Sequence, residues 1–254
     1  MIPYHDENET QRTPYVTMGI IGACALAWLG YQGAGSPMAL ATSVCNSGLI
    51  PGELTMSVAP GSGFPMGDGL VCEIDAGRQT SNLLTSMFLH GSWMHLIGNM
   101  WFLWLFGNNI EDSMTRPRFV AFYLLCGVAA AMAQVLADPQ SEIPMVGASG
   151  AISGVMGAYL VLFPRVRVYT MVPLGFFLQS FPLPAWVMLI YWTVLQVAGG
   201  VTSIVSDEPG GGVAFWAHVG GFVAGVVLIK IFERRDRVAA HTAHHWRPGG
   251  AGGW

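Results

Sequence analysis

Residues 143–165 read IPMVGASGAISGVMGAYLVLFPR. No Asp, Glu, Lys or Arg occurs before Arg165, yet the stretch is not one membrane-crossing helix. Pro144-Met145-Val146-Gly147-Ala148 is not a regular helix, because proline and glycine interrupt the backbone ladder. The helix therefore begins at Ser149 and ends at Phe163, ahead of Pro164. Its fifteen residues reach only ~22 Å, short of a ~30 Å hydrocarbon core. With Arg165 anchored at one surface, the other end stops below the opposite surface. Non-helical backbone at that depth is stable only against packed protein or a water-filled cavity. Ser149 is thus predicted at a helix N-terminus, sunk in the membrane and facing water. Orphan N–H groups and the positive end of the helix dipole there suit an oxyanion. Taken alone, a Gly-x-Ser-Gly sequence is read more simply as a serine that caps a helix.

The whole chain supports a membrane reading. Of its 254 residues 52% are hydrophobic and 10% charged, against roughly a quarter charged in a soluble domain. Four cysteines rule out a disulfide scaffold, and a net charge of −4 with few basic residues argues against nucleic acid. Charge-free runs at 15–33, 93–110, 119–137, 143–163, 184–203 and 213–229 predict an all-α fold of six transmembrane helices with a short fourth helix. The long run 168–206 contains Pro173, Pro182 and Pro184, so its first half reads as a loop at the membrane surface. Ten of the eleven basic residues then share one side with both termini, leaving only Arg78 opposite, which places both ends in the cytoplasm. No cleavable signal sequence is expected.

The predicted organisation is a cytoplasmic segment over 1–13, a membrane domain over 14–232 with a long external loop at 34–80, and a flexible cytoplasmic tail over 233–254. Cys45 and Cys72 both lie in that loop, on the oxidising side, and a disulfide between them is one of two open readings. Cys24 and Cys126 read as small core residues. His241, His244 and His245 in the tail read as a solvated cluster rather than a metal site.

Polar side chains inside spans are expensive, and each invites a role. His95 and Asn99 lie four apart on one face of the second span, with His90 just before it. In the sixth span His218, Gly221 and Gly225 share a face. The fourth span carries its own small face of Gly150, Gly154 and Gly157, so the two backbones can approach closely. That packing brings His218 to the Ser149 end, as a general base beside a nucleophile. His95 and Asn99 supply the donor types that stabilise an oxyanion, together with the Ser149 N–H.

These residues resemble the rhomboid family of intramembrane serine proteases, over about residues 88–229. His90-Gly91-Ser92-Trp93-Met94-His95-Leu96-Ile97-Gly98-Asn99 is similar to the family's second helix. Gly147-Ala148-Ser149-Gly150 resembles its nucleophile motif, and Ala217-His218-x-x-Gly221-x-x-x-Gly225 its last helix. The resemblance implies a bacterial-type six-helix core with a Ser149–His218 dyad and an oxyanion hole of His95, Asn99 and the Ser149 backbone. Glu111 would tie helix ends together at the cytoplasmic side. Entry of substrate between the second and fifth spans is implied too, with Trp192 as a possible gate. Two features depart from the family: Ser153 stands where many members have an aromatic ring on the catalytic His, and the Trp-Arg pair of the first external loop is missing. Neither departure removes a reacting group.

The implied activity is endopeptidase cleavage of transmembrane segments near their outer ends, in a cell membrane of the bacterial inner-membrane type. Its partners are membrane-protein substrates and the lipid bilayer, with no metal or other cofactor. No acid stands where it would orient His218, so a dyad rather than a triad is expected. The alternative is an inactive rhomboid-like protein that binds and escorts transmembrane segments; such relatives usually lack the Ser or the His, and both are present here. A small transporter with a broken helix is a third reading, but no inverted repeat is found.

Overall fold

Prolines, glycines and capping oxygens decide where the elements start and stop. The computed structural model of the protein describes residues 1–67, 69–175, 177–205 and 213–245. In chain order the elements are β1 (Ile2–Asp6), α1 (Tyr15–Leu26, continued by a π turn over Ala27–Tyr31), α2 (Pro37–Ser47), α3 (Pro51–Thr55), β2 (Gly63–Gly67), β3 (Leu70–Glu73), α4 (Asn82–Thr85) and α5 (Trp93–Phe102). There follow α6 (Asn108–Asp112), α7 (Arg116–Ala137), α8 (Ser149–Leu162), β4 (Arg167–Leu174), β5 (Phe177–Pro184), α9 (Ala185–Val205), α10 (Phe215–Phe232) and α11 (Arg235–His245). A π turn over Leu103–Gly107 joins α5 to α6.

Local chemistry accounts for the helix starts. The Ser92 hydroxyl accepts the His95 N–H at 3.1 Å and caps α5. Pro117 sits in the first turn of α7, where its missing N–H costs nothing. α1 lacks a cap of its own, and Glu111 reaches across from α6 to supply one. Its carboxylate accepts the N–H groups of Val16 and Thr17 at 3.0 and 2.8 Å and the Thr17 hydroxyl at 2.9 Å.

Among the described residues three helices, α7, α9 and α10, are long and apolar enough to cross a membrane, while α8 and the Tyr15–Tyr31 helix are shorter and apolar. Met94, Leu136, Val194, Val227 and Ile231 project from the helices with large exposed apolar surfaces, which suit lipid rather than water. α8 is the inner helix: every residue from Gly150 to Tyr159 is buried. A helix buried on all sides needs neighbours all round, and α8 packs most extensively on α10 and α7. At the α8–α10 seam a Cβ on Gly221 or Gly225 would overlap the carbonyl oxygens of Gly150 and Gly154. The seam is backbone against backbone, and a larger residue at either position would separate the helices.

An all-α reading misses two small sheets. One is the hairpin β2–β3 in the 34–80 segment; the other has the order β1-β4-β5, antiparallel throughout. Of the prolines that exclude a helix over 168–184, Pro182 and Pro184 lie on the edge strand β5, and Pro173 lies on β4 beyond Met171, the last residue that β1 pairs; Gly175 turns the hairpin at φ +61°. Within the N-terminal segment, Ile2–Asp6 form the strand β1, paired with β4. Residues 235–245 of the tail are helical. Residues 246–254 and the side chains of His241, His244 and His245 lie outside the described residues. In the 34–80 segment Cys45 and Cys72 form a disulfide, with Cα atoms 5.4 Å apart.

Candidate active site

Ser149 occupies the first turn of α8, and the loop ahead of it is pinned from two directions. Leu49 and Met145 exchange backbone hydrogen bonds of 2.9 and 2.8 Å, and the Gly147 N–H donates to the Ser86 carbonyl at 2.9 Å. Gly147 has φ +131°, and a Cβ there would lie 2.8 Å from His95 Nε2 and 3.6 Å from Asn99 Nδ2. Conformation and space both require glycine at this turn.

His218 comes from α10, one turn before Gly221. Its Nε2 lies 2.7 Å from the Ser149 Oγ, and its Nδ1 lies 2.7 Å from the Oε1 of Gln196 on α9. The Trp192 ring sits 5.8 Å from the His218 ring, centroid to centroid, and 6.4 Å from Phe222. Ser153 is buried, and its hydroxyl donates to the Ser149 carbonyl at 2.6 Å. It therefore supports the first turn of α8 and not His218.

His95 and Asn99 face Ser149 and His218 across a cavity of about 880 Å³. The Gly91 N–H donates to His95 Nδ1 at 3.3 Å, which leaves the ring proton on Nε2, the nitrogen nearest Gly147. The Asn99 Nδ2 is buried without a hydrogen-bond partner. A hydroxyl that can pass its proton to an imidazole thus faces a space supplied with spare donors. Such an arrangement can carry nucleophilic acyl transfer with stabilisation of a developing oxyanion.

His90 lies behind His95, fully buried and edge-on to it at 5.2 Å. Burial, with a smaller contribution from His95, pushes His90 down to about 3, so its ring is neutral. Gln32 grips the His90 backbone, accepting its N–H at 2.9 Å and donating to its carbonyl at 2.7 Å. Glu111 caps α1 and does not line the cavity. Gly150, Gly221 and Gly225 form the seam that brings Ser149 and His218 together. Among the described residues no group of three His, Cys, Asp or Glu is placed to hold a metal ion.

Sequence reasoning missed three glutamines: Gln196 on the His218 ring, Gln32 on the His90 backbone, and Gln134, whose Oε1 accepts the Ala217 N–H at 3.3 Å in the first turn of α10. Each is a polar side chain within an apolar run, the same signal that singles out Asn99.

Residues 77–235 match the family model described as Rhomboid domain. RHOMBOID-like protein 5 of Arabidopsis thaliana is 30% identical over 168 residues, covering 66% of this chain and 48% of the relative. Rhomboid protein 1, mitochondrial, of Saccharomyces cerevisiae is 26% identical over 175 residues, 65% of this chain and 46% of the relative. The human Presenilin-associated rhomboid-like protein, mitochondrial, is 27% identical over 154 residues, 58% of this chain and 36% of the relative. The chain thus spans less than half the length of each of these relatives. None of the three is bacterial, so they lend no support to a bacterial inner membrane; what they support is a membrane protein.

Proposed function

Because the chain belongs to the rhomboid family, we propose that it is an intramembrane serine endopeptidase cleaving transmembrane segments of other membrane proteins near their outer ends. The observation that carries this reading is the 2.7 Å contact between Ser149 Oγ and His218 Nε2 in a cavity lined by unpaired donors.

His218 takes the Ser149 proton as the oxygen attacks a peptide carbonyl. The oxyanion that forms accepts hydrogen bonds from Asn99 Nδ2, His95 Nε2 and the Ser149 N–H. His218 then protonates the leaving amine. Water enters, gives its proton to His218 and releases the acyl group from Ser149. A peptide carbonyl in an intact helix is occupied by its own hydrogen bond, so a substrate segment must unwind locally, which Gly, Ala, Ser and Pro favour. Substrate passes between α5 and α9, whose side chains Met94, His95 and Trp192 border the cavity.

We count six spans: α1 with its π turn, α5 with α6, α7, α8, α9 and α10. They form the membrane domain over 14–232, flanked by segments 1–13 and 233–254 on the cytoplasmic side. A disulfide in the 34–80 loop suits an oxidising compartment on the opposite side.

The test is cleavage of a reporter transmembrane protein in proteoliposomes by the wild type, Ser149→Ala and His218→Ala. Both variants fold and lose at least about 10³-fold in kcat. Undiminished turnover by Ser149→Ala overturns the enzyme reading. A wild type that binds transmembrane segments but cuts none of a range of them is an escort instead.

A further inference from the structure

We infer that Gln196 is a positioning residue that fixes the working tautomer of His218, so that α9 supplies the third member of a Ser149–His218–Gln196 chain of hydrogen bonds. The inference rests on the assignment of Ser149 and His218 as nucleophile and base.

Two contacts define the geometry. Gln196 Oε1 lies 2.7 Å from His218 Nδ1, and Ser149 Oγ lies 2.7 Å from Nε2 on the far side of the ring. An amide oxygen only accepts, so Nδ1 carries the ring proton and Nε2 presents its lone pair to the serine hydroxyl. The opposite tautomer would aim an N–H at the hydroxyl and leave no base. A carboxylate does this work in the three-residue template, where it also stabilises the imidazolium. A neutral amide sets the tautomer and orientation and gives less of that electrostatic help.

A second contact comes from the same face of α9. Trp192 stands four residues before Gln196, one helical turn, and its ring lies against the His218 ring at 5.8 Å with the planes tilted by 43°. One helix therefore holds the imidazole by its face and by its Nδ1. Ser153 is not available for this, because its hydroxyl is bonded to the Ser149 carbonyl. Support for the base comes from a different helix than the position four beyond the nucleophile would suggest.

The test compares wild type, Gln196→Met and Gln196→Glu in proteoliposomes, with kcat, KM and the pH dependence of kcat measured on one reporter substrate. Methionine keeps the length of the side chain and removes the strong acceptor. Its kcat falls about tenfold or more while KM stays within about twofold. Glutamate can only accept at Nδ1, so it recovers most of the lost kcat. Its negative charge favours the imidazolium, so the acid limb of the pH profile moves to higher pH. Among the described residues His95 and Asp138 are the other titratable side chains lining the cavity, and both are unchanged in the two variants, so the shift reports on position 196. A Gln196→Met enzyme with wild-type kcat overturns the inference. So does a Gln196→Glu enzyme as slow as Gln196→Met with an unmoved pH profile, which would mark the residue as packing alone. Cleavage by the wild type that is lost in Ser149→Ala keeps the protease reading standing in either case; a wild type without that activity removes both.

Discussion

The two ends of α8 differ in how many of their polar side chains are paired. At its N-terminal end the Asn99 amide is buried without a partner and the Nε2 of His95 faces Gly147 beside a large cavity. Towards its other end the Tyr159 hydroxyl and the Asn109 amide both donate to Asp6, at 2.6 and 2.9 Å, and Glu111 accepts three hydrogen bonds from α1. Arg12 pairs with Asp112 at 3.0 Å. Unmade hydrogen bonds cost stability, and the spare Asn99 donor lies at the cavity that also holds Ser149 and His218. On the proposed reading, the Tyr159–Asp6 end holds the helices in register and the Asn99 end receives a carbonyl oxygen of the substrate. Changes at the Asn99 end should lower activity more than stability, and changes at the Tyr159–Asp6 end the reverse.

Asn99→Ala tests the first half most strongly. Removing one oxyanion donor lowers kcat by about 10²–10³-fold with little change in KM, while thermal unfolding shifts by less than about 1 kcal/mol, because the amide has no partner to lose. A large loss of stability with normal kcat in the folded fraction would reverse the roles of the two ends. Glu111→Ala is the mirror experiment. It strands two backbone N–H groups and a hydroxyl, and destabilises the protein by about 2–4 kcal/mol, with kcat of the folded enzyme within about threefold of wild type. A strong effect on kcat alone would place Glu111 in the chemistry.

The 34–80 segment lies between these cases, since it braces the loop before Ser149 through the Leu49–Met145 bridge. The disulfide closes a separation of 27 residues there, and replacing both Cys45 and Cys72 by Ser costs about 3 kcal/mol on loop entropy. Reductant should lower the melting temperature of the wild type and leave that of the double variant unmoved. The smallest effect belongs to Tyr159→Phe, which takes one donor from Asp6 and costs about 1–2 kcal/mol, read in the same unfolding assay, with no change in kcat.

Much of the site is legible in the sequence because polar residues within apolar runs are few. Ser149, His218, His95 and Asn99 stand out on that ground, and the helical spacing of Gly221 and Gly225 beside Gly150 and Gly154 predicts which helices meet. Gln196 satisfies the same criterion and was passed over. An amide lacks the chemical signature of an acid, and only the fold shows that α9 faces His218. Ser153, where many family members have an aromatic ring on the catalytic His, leaves the support of His218 to come from elsewhere or be weaker; Trp192 lies against that ring from another helix. The β1-β4-β5 sheet was illegible for a different reason. Pairing Ile2 with Met171 joins residues far apart in the chain, and no local pattern encodes such a register. Likewise the prolines of 168–184 exclude a helix without saying that a hairpin replaces it.

The central claim is that the Ser149 oxygen is made nucleophilic by His218. The most direct measurement is labelling of the reconstituted protein with a fluorophosphonate, with the modified residue located by mass spectrometry in wild type and His218→Ala. The account predicts a label on Ser149 in the wild type and its loss in His218→Ala. A wild type left unmodified at Ser149, or a His218→Ala protein labelled there as fast as wild type, would contradict it.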